Sequence, residues 1–375
     1  MQTIFKKKIE ELLASAKIVL NGTAPHDPQV HDPKTYSRAL LQGNLGLGDA
    51  YTDGMWDCDD LDVFFEKILR TKLDQQTSQI LDILQKVRGT VFNLQSIRRA
   101  FHVAEGHYDL GNDLYELMLG ESMGYSSGYY GLNADNNTQA QYDKFEIICQ
   151  KLKLKPGMKI LEIGCGWGTF AEYAVKNYGV SVLGVTVSKE QLAYAKKRCR
   201  DLDVEFYFGD YRTLPEKYMG AFDCVVSIEM IESVGIKNLK RYMQVISRNL
   251  RLRGKACLQC IIGNDVPDLW ISTRIFPNGV LPSMKSIASS ISSHMRISHL
   301  ESFGLDYDKT LMEWDKRFRE NWKLIQKHTD KNGKVVYDDK FYRMWRYYLM
   351  ICAGSFRARK IDVCQIILEK EGIAS

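Results

Sequence analysis

Residues 159–170 read KILEIGCGWGTF, a short apolar run, then a turn that contains Gly164, Gly166 and Gly168, then the start of a helix-forming segment. Glycines at such positions let the backbone turn tightly and approach a ligand closely. A glycine triplet alone is a weak signal, because several kinds of nucleotide site use one. The stretch therefore predicts a strand, a ligand-binding loop and a helix.

Short β-rich runs and helical runs alternate on both sides of this loop. The predicted strands are MKILEIG, SVLGVTV, VEFYFGD, FDCVVSI and KACLQCII, and the predicted helices are TFAEYAVKNY, KEQLAYAKKRC and LKRYMQVISRNL. This alternation predicts a doubly wound parallel α/β sheet. The first 95 residues instead read as mostly helical, with a glycine-rich break at LLQGNLGLGDAYTDG. We therefore expect a small helical domain over 1–95 and a Rossmann-like α/β domain over 96–375.

Three ligands are compatible with a glycine loop in such a sheet. A phosphate loop would place Lys-Ser/Thr after the last glycine, and this sequence does not. A nicotinamide site would place an acidic residue at the end of the second strand, where this chain has Thr186 and, further on, Gln191. For S-adenosylmethionine (SAM), Glu162 and Asp210 fall at the carboxyl ends of strands, where these sheets bind ligands. Asp210 would accept a hydrogen bond from the adenine amino group, so the pattern favours SAM.

The charge of the chain is unevenly distributed. The formal net charge is +5, yet residues 1–100 hold 13 Lys+Arg against 13 Asp+Glu, while residues 309–360 hold 14 against 6. The basic stretch is also aromatic, with Trp314, Phe318, Trp322, Phe341, Trp345, Tyr347 and Tyr348. It is either an ordinary solvated helix surface or a surface attracted to anions, namely lipid headgroups or nucleic acid. Nucleic acid is disfavoured, because no reader motif is present.

The sequence gives little indication of a targeting signal or a metal site. Glu10, Glu11 and Lys17 interrupt the apolar N-terminal run, so it predicts an amphipathic helix and a cytoplasmic protein rather than a signal peptide. Nine cysteines do not suggest a disulfide framework. Cys257 and Cys260 form a C-x-x-C, but no second pair has ligand spacing and the segment reads as a buried strand. We therefore expect packing and no metal.

Several motifs together resemble one enzyme family. They are HYDLGNDLYELML, YSSGYY, LKPGMKILEIGCGWG, YGVSVLGVTVSKEQ, IFPNGVLPS, DYDKTLMEW and CAGSFRARKID, preceded by NGTAPHDPQV and LGLGDAYTDGMWDCDDLDVFFEKILR. The chain is similar to the cyclopropane-fatty-acid synthases and, more distantly, to the mycolic acid methyltransferases. The resemblance covers nearly the whole chain, and its motifs occur in the expected order.

The resemblance implies a SAM-dependent enzyme that acts on cis double bonds in the acyl chains of membrane phospholipids. It implies a peripheral membrane homodimer on the inner face of the membrane, with residues 1–95 binding lipid or the second subunit. The alkene is a weak nucleophile, so it needs an electrophilic methyl group held in line. Methyl transfer leaves a carbocation, which aromatic faces stabilise. A base then removes a proton from the new methyl group so that the ring closes, and in the family that base is a bound bicarbonate.

The resemblance also assigns roles to residues around the cofactor. Tyr125 and Ser126, in the stretch YSSGYY, close over SAM. Thr186, Gln191 and the glycine loop hold the rest of it, together with Glu162, Asp210 and Tyr211. His107 lies either near the active site or in a structural hydrogen bond.

The family's bicarbonate pocket corresponds here to the backbone of Ser127 and to Glu232, Cys260, Ile262 and Tyr307. The family has a cysteine at the position of Ser127 and a histidine at the position of Cys260. The serine changes little if only the backbone N–H binds the anion. A neutral thiol, however, is a weaker hydrogen-bond donor than imidazole. Bicarbonate therefore stays open as a ligand of this pocket.

A third replacement lies beside the pocket, where Ser233 stands in place of another family histidine.

Four functions follow from these patterns. The first is cyclopropane formation on phospholipids, and the second is a related C-methylation that gives a methyl-branched or methylene lipid. The third is N-methylation of a small molecule, which would not need the helical N-terminal domain. The fourth is binding of lipid or SAM without turnover.

Overall fold

The computed structural model describes residues 2–73, 111–329 and 333–371. His107 and the predicted domain boundary at residue 95 lie outside these residues. The chain forms two compact units. The helical unit comprises Met1–Phe92, Val266–Pro277 and Tyr307–Ile361, and the sheet unit comprises Asn93–Asp265, Asn278–Asp306 and Asp362–Ser375. The division into 1–95 and 96–375 stays a prediction, but two later segments cluster with the N-terminal one.

The described helices vary from one turn to five turns in length. They are α1 (Gln2–Ser15), α2 (Lys34–Thr52), α3 (Leu61–Arg70), α4 (Asn112–Leu119), α5 (Asn137–Leu152), α6 (Thr169–Tyr178), α7 (Lys189–Arg198), α8 (Leu239–Asn249), α9 (Leu269–Arg274), α10 (Met284–Ser290), α11 (Gly304–Glu320), α12 (Trp322–Ile325) and α13 (Asp339–Arg357). None of these helices combines the length and the apolar character needed to cross a bilayer.

The described strands are β1 (Gln29–Val30), β2 (Trp56–Asp57), β3 (Lys159–Ile163), β4 (Ser181–Thr186), β5 (Val204–Phe208), β6 (Phe222–Ile228), β7 (Leu250–Ile262), β8 (Met295–Ser302) and β9 (Asp362–Lys370). The short strands β1 and β2 pair with each other in the helical unit. The other strands form one sheet in the order β5-β4-β3-β6-β7-β9-β8.

The sheet is parallel from β5 to β7, as the alternating sequence pattern predicts. Two further strands extend this parallel sheet, and β9 runs antiparallel to both β7 and β8. The sequence pattern did not indicate these last two strands. The central strands read as nearly continuous apolar runs because helices cover both faces of a doubly wound sheet.

The C-x-x-C pair lies on β7, where both thiols are buried. Side chains alternate between faces along a strand, so residues three apart point to opposite sides. Cys257 packs in one hydrophobic layer with Ile160 and Val226, and Cys260 packs in the other with Leu161 and Val225. The two sulfurs therefore cannot share one metal ion, and both serve in packing.

The helical unit has a core of large aromatic side chains. Tyr347 of α13 lies 4.4 Å from Trp270 and 5.0 Å from Phe65, measured between ring centroids. Such pairs each add about 1 kcal/mol to the stabilisation from buried area. The glycine-rich segment predicted as a break does interrupt the helix at one residue, because Gly43 is non-helical (φ 58°, ψ −140°) and α2 consists of two helical stretches joined at this kink.

The basic, aromatic stretch at 309–360 supplies much of this core. Trp314, Phe318 and Trp345 are no more than 1% exposed. Arg357 donates to Asp62 and Asp308 at 2.6 and 2.8 Å. These three aromatic rings therefore stabilise the helical unit from within its core.

Candidate active site

The glycine loop connects β3 to α6 in the sheet unit. Gly164 has φ 83° and Gly166 has φ 51°, values in the left-handed region that favours glycine. A Cβ on Gly164 would lie 2.8 Å from Cγ of Met230, so the loop packs against the segment that follows β6. A Cβ on Gly166 would meet nothing within 4 Å. The loop is thus closed on one side and open on the other, as a ligand cradle requires.

Gly168, the third glycine of the predicted cofactor loop, differs from the other two in its surroundings. It directly precedes α6, and its backbone N–H donates to the carbonyl of Cys165 at 2.9 Å. A Cβ on Gly168 would lie 3.0 Å from Cβ of Ala195 on α7. The structure therefore gives Gly168 a packing role, the close approach of α6 to α7. A contact of Gly168 with SAM stays a prediction that this packing neither requires nor supports.

Glu162 lies at the end of β3 and is 3% exposed. Its Oε2 is buried and has no hydrogen-bond partner among the described residues. Burial raises the pKa of this carboxyl well above its ordinary value. A buried polar atom without a partner is costly, so a ligand that donates a hydrogen bond here would remove that cost. The amino group of SAM is such a donor, and the site fits it.

The carboxyl end of β4 brings together the predicted residues Thr186 and Gln191. The Thr186 hydroxyl donates to Oε1 of Gln191 at 3.1 Å, and the backbone N–H of Gln191 donates to Oγ of Ser188 at 3.2 Å. Ser188 thereby caps α7. The structure places these polar groups beside one another, and their contact with SAM stays a prediction.

Asp210 and Tyr211 follow β5. The Asp210 carboxylate accepts hydrogen bonds from the backbone N–H and the guanidinium of Arg212, the latter at 2.6 and 2.7 Å. Tyr211 packs edge to face against Tyr242, with ring centroids 5.4 Å apart. A carboxylate offers about four lone-pair sites, so Asp210 keeps room for one more donor. Its bond to the adenine amino group stays a prediction.

The stretch YSSGYY lies against the glycine loop. Tyr125 packs edge to face on Tyr115, and Tyr115 packs on Trp167 of the loop, with centroids 5.3 and 4.9 Å apart. Ser126 and Ser127 are buried. The closure of Tyr125 and Ser126 over SAM stays a prediction that this packing favours.

Helix α5 holds Ser126 from one side. Lys144, which is fully buried, donates to Oγ of Ser126 at 2.6 Å and also to Oε1 of Gln141. Gln141 donates to the carbonyl of Ser126 at 2.7 Å. Burial lowers the pKa of Lys144 to about 7, even though the charge of Glu229 acts in the opposite direction.

Glu232 and Cys260 lie at the ends of β6 and β7. Oε1 of Glu232 accepts from the backbone N–H of Ile261 at 2.6 Å, and its buried Oε2 has no partner among the described residues. Burial, and then the charge of Glu229, raise the pKa of Glu232 to about 8, so it is protonated at neutral pH. Burial, and then the charge of Glu232, raise the pKa of the Cys260 thiol well above its usual value. Ile262, the last residue of β7, is half-buried nearby in sequence.

Tyr307 belongs to the helical unit. Its ring stacks on Phe356 with centroids 4.6 Å apart and meets Trp314 edge to face at 6.0 Å. The predicted role of Tyr307 in the anion pocket stays a prediction.

Sequence reasoning missed Glu229, whose Oε1 accepts hydrogen bonds from the backbone N–H of Ser127 at 2.9 Å and from Nε2 of Gln259 at 2.8 Å. The rule that selected Glu162 and Asp210, an acid at the carboxyl end of a strand, also applies to Glu229 after FDCVVSI. The rule was sufficient to find it.

The sheet, the glycine loop and the buried Glu162 oxygen with no partner among the described residues are features of a SAM-dependent methyltransferase. They define the class of protein to which the chain belongs. The sequence profile of the family described as mycolic acid cyclopropane synthetase matches residues 95–366. The chain belongs to this family.

Relatives cover most of the chain. The cyclopropane-fatty-acyl-phospholipid synthase of Escherichia coli (strain K12) is 46% identical over 365 residues, which are 96% of this chain and 92% of that protein. The tuberculostearic acid methyltransferase UfaA1 of Mycobacterium tuberculosis (strain ATCC 25618 / H37Rv) is 30% identical over 94% of this chain and 86% of its own length. The cyclopropane synthase MmaA2 from Mycobacterium tuberculosis has a similar structure, with TM-score 0.65, 27% identity, and coverage of 72% of this chain and 98% of that one.

Proposed function

We propose that the chain transfers a methylene group from SAM to the cis double bond of unsaturated acyl chains in membrane phospholipids, forming a cyclopropane ring. The observation that carries this proposal is the 46% identity to the Escherichia coli synthase, because it extends over 96% of the chain.

SAM, when bound, supplies a methyl group on an electrophilic sulfonium. Glu162 and the glycine loop would hold it, together with Thr186, Gln191, Asp210 and Tyr211. Tyr125 and Ser126 would cover it, since Lys144 and Gln141 hold Ser126 in the buried interior. Excluding water in this way strengthens electrostatic interactions at the reacting atoms.

The test is to incubate the purified protein with vesicles of a monounsaturated phospholipid and SAM carrying a trideuterated methyl group. We expect a cyclopropane product that retains two of the three deuterons, identified by mass spectrometry and NMR. Retention of all three would indicate a methyl branch. No lipid product, together with methylation of soluble amines, would contradict the proposal.

A second candidate product is a methyl-branched or methylene lipid. It is favoured by one observation, the buried and uncharged Cys260 thiol where the family has a histidine. Deuterium retention separates the methyl branch from the ring, and NMR separates the cyclopropane from the methylene lipid, which also retains two deuterons. If the branched product dominates, Cys260→His is the variant that should restore ring closure.

We further propose that the protein is cytoplasmic and binds the inner face of the membrane peripherally as a homodimer. An exposed patch in the helical unit, formed by Lys323, Leu324, Lys327, Val335 and Val336, supports the membrane contact. Leu324 is 54% exposed and Val335 is 51% exposed, and lysines lie next to both in the sequence. Apolar groups with neighbouring lysines suit an anionic lipid surface.

Sedimentation with anionic and with neutral vesicles tests this patch. We expect the double substitution Leu324→Glu and Val335→Glu to abolish binding to anionic vesicles. Met219→Glu is the matched control, since Met219 is a similarly exposed apolar residue of the sheet unit (56%). An equal loss of vesicle binding in both variants would argue against this patch as the membrane contact. Light scattering after size-exclusion chromatography tests the dimer.

A further inference from the structure

Glu229 has an unusual backbone. It follows the last residue of β6 with φ 48°, in the left-handed region that residues other than glycine rarely adopt. Such a conformation costs about 1 kcal/mol or more, and it persists where the surroundings fix it. Here the backbone N–H of Glu229 donates to the carbonyl of Gln259 at 2.8 Å. The conformation turns the side chain toward Ser127, next to the loop that Met230 packs against.

A directional chain of hydrogen bonds ends at this carboxylate. Nζ of Lys151 donates to Oε1 of Gln365 at 2.6 Å, Nε2 of Gln365 donates to Oε1 of Gln259 at 3.0 Å, and Nε2 of Gln259 donates to Oε1 of Glu229 at 2.8 Å. An ammonium group can only donate, so Lys151 fixes the orientation of both amides. Both glutamines are buried, at 0% and 1% exposure. The last group in the chain must therefore be an acceptor, and a carboxyl oxygen of Glu229 fills that place.

The two acids after β6 lie in different surroundings. Glu232 is protonated at neutral pH, because burial raises its pKa to about 8. Glu229 accepts two N–H donors and interacts with the charge of the buried Lys144. Neighbouring carboxyl groups in different environments commonly divide acid and base roles in this way. Of these two acids, Glu229 is the one placed to accept a proton.

We propose that Glu229 is the base that removes a proton from the newly transferred methyl group, in the place that the family resemblance gives to bicarbonate. This inference rests on the proposed cyclopropane synthesis. The backbone N–H of Ser127, which the resemblance assigns to bicarbonate, already donates to Glu229. The protein therefore carries its own carboxylate at this position and needs no dissolved anion.

The step balances without any further reagent. The π electrons of the alkene form a bond to the methyl carbon as its bond to sulfur breaks, and a carbocation remains on the other alkene carbon. Glu229 takes one proton from the new methyl group. The electron pair of that C–H bond closes the three-membered ring. The half-buried carboxyl group then returns its proton to solvent.

The variant Glu229→Gly tests this inference, because glycine suits the left-handed backbone and empties the space beside Ser127. In bicarbonate-free buffer we expect kcat to fall by roughly 10²–10⁴-fold, the usual contribution of a general base. Added bicarbonate or formate should restore activity at least tenfold. Wild-type activity should not depend on either anion. Glu229→Gln should be inactive without rescue, since its amide fills the same space.

A binding measurement gives a readout besides activity. We expect ¹³C-labelled bicarbonate to bind Glu229→Gly, seen by NMR line broadening and thermal stabilisation, and not to bind the wild type. Glu172→Gln, a change on α6 where the half-buried Glu172 pairs with Lys176 and Arg198, serves as the control. Bicarbonate-dependent wild-type turnover, or full activity of Glu229→Gly without added anion, would overturn the inference. A wild type that makes no cyclopropane would instead overturn the proposed function.

Discussion

Replacing Glu232 by glutamine should change the pH dependence of folding in a calculable way. The pKa of Glu232 is about 8 in the folded protein, against an ordinary value of 4.5. Below pH 4.5 the carboxyl is protonated in both states and contributes no pH dependence. Between these two values the unfolded chain releases the proton and the folded chain keeps it. Stability is therefore lost as pH rises toward 8, at about 1.4 kcal/mol per pH unit.

Glutamine does not titrate, and it can still accept the hydrogen bond from Ile261 through its amide oxygen. The variant should therefore gain stability relative to the wild type as pH rises. Between pH 5.5 and 7.5, a span of two units, the gain should be roughly 2–3 kcal/mol. The measurement is the difference in free energy of unfolding from urea denaturation at several pH values.

Glu301→Gln is the control for this experiment. Burial raises the pKa of Glu301, but hydrogen bonds from Lys151 and Tyr129 outweigh it and lower the pKa below its ordinary value. The stability that Glu301 contributes is lost only as pH falls below that ordinary value. Its variant should therefore show no slope between pH 5.5 and 7.5. A flat difference for Glu232→Gln over the same range would refute the assignment of a protonated Glu232.

Two further predictions concern packing and cofactor binding. A Cβ on Gly354 of α13 would lie 2.7 Å from Cβ of Phe65. Gly354→Ala should therefore lower the free energy of unfolding by about 1–3 kcal/mol, measured by urea denaturation. An unchanged denaturation midpoint would show that α3 and α13 are not tightly packed. Glu162→Gln should weaken SAM binding at least tenfold in calorimetry, because the carboxyl carries a buried oxygen with no partner among the described residues. The control Glu172→Gln should leave SAM affinity unchanged, and equal affinities in all three proteins would remove Glu162 from the cofactor site.

The parallel half of the sheet was predictable from sequence because its signals are local. The predicted helix TFAEYAVKNY and the predicted strand FDCVVSI coincide with α6 and β6. Alternation of the two periodicities and glycine-rich turns were sufficient there. The strand β9 was missed because its burial depends on pairing with β7, more than a hundred residues earlier in the chain.

The basic, aromatic stretch shows why surface and core are hard to separate by composition. Its rings look exposed in the sequence because arginines and lysines alternate with them. In the fold, Arg346 pairs with Asp315 at 3.0 Å and Arg343 pairs with Asp57 at 2.7 Å. Carboxylates from distant segments thus allow cationic residues to border an aromatic core. No local sequence pattern indicates such ion-pair partners.

The residues of the candidate site also differ in whether the sequence alone could predict their roles. Residues that a strand end positions, such as Glu162 and Thr186, were accessible to sequence reasoning. The packing of Gly168 against Ala195 was not, because a glycine in the loop motif looks the same whether it faces a ligand or a helix. The hydrogen bond between Gln365 and Gln259 joins residues 106 apart, and its direction depends on a third residue. A role that depends on such an arrangement becomes visible only in the folded structure.

The strand β9 also links the chemistry to the order in which the chain is synthesised. It is the last described element of the chain, yet it lies between β7 and β8 in the sheet. Gln365, which orients Gln259 toward Glu229, arrives only with this strand. The glycine loop and YSSGYY leave the ribosome some two hundred residues earlier in the sequence. A nascent chain in which the cofactor loop is complete therefore still lacks the residue that orients Gln259 toward Glu229.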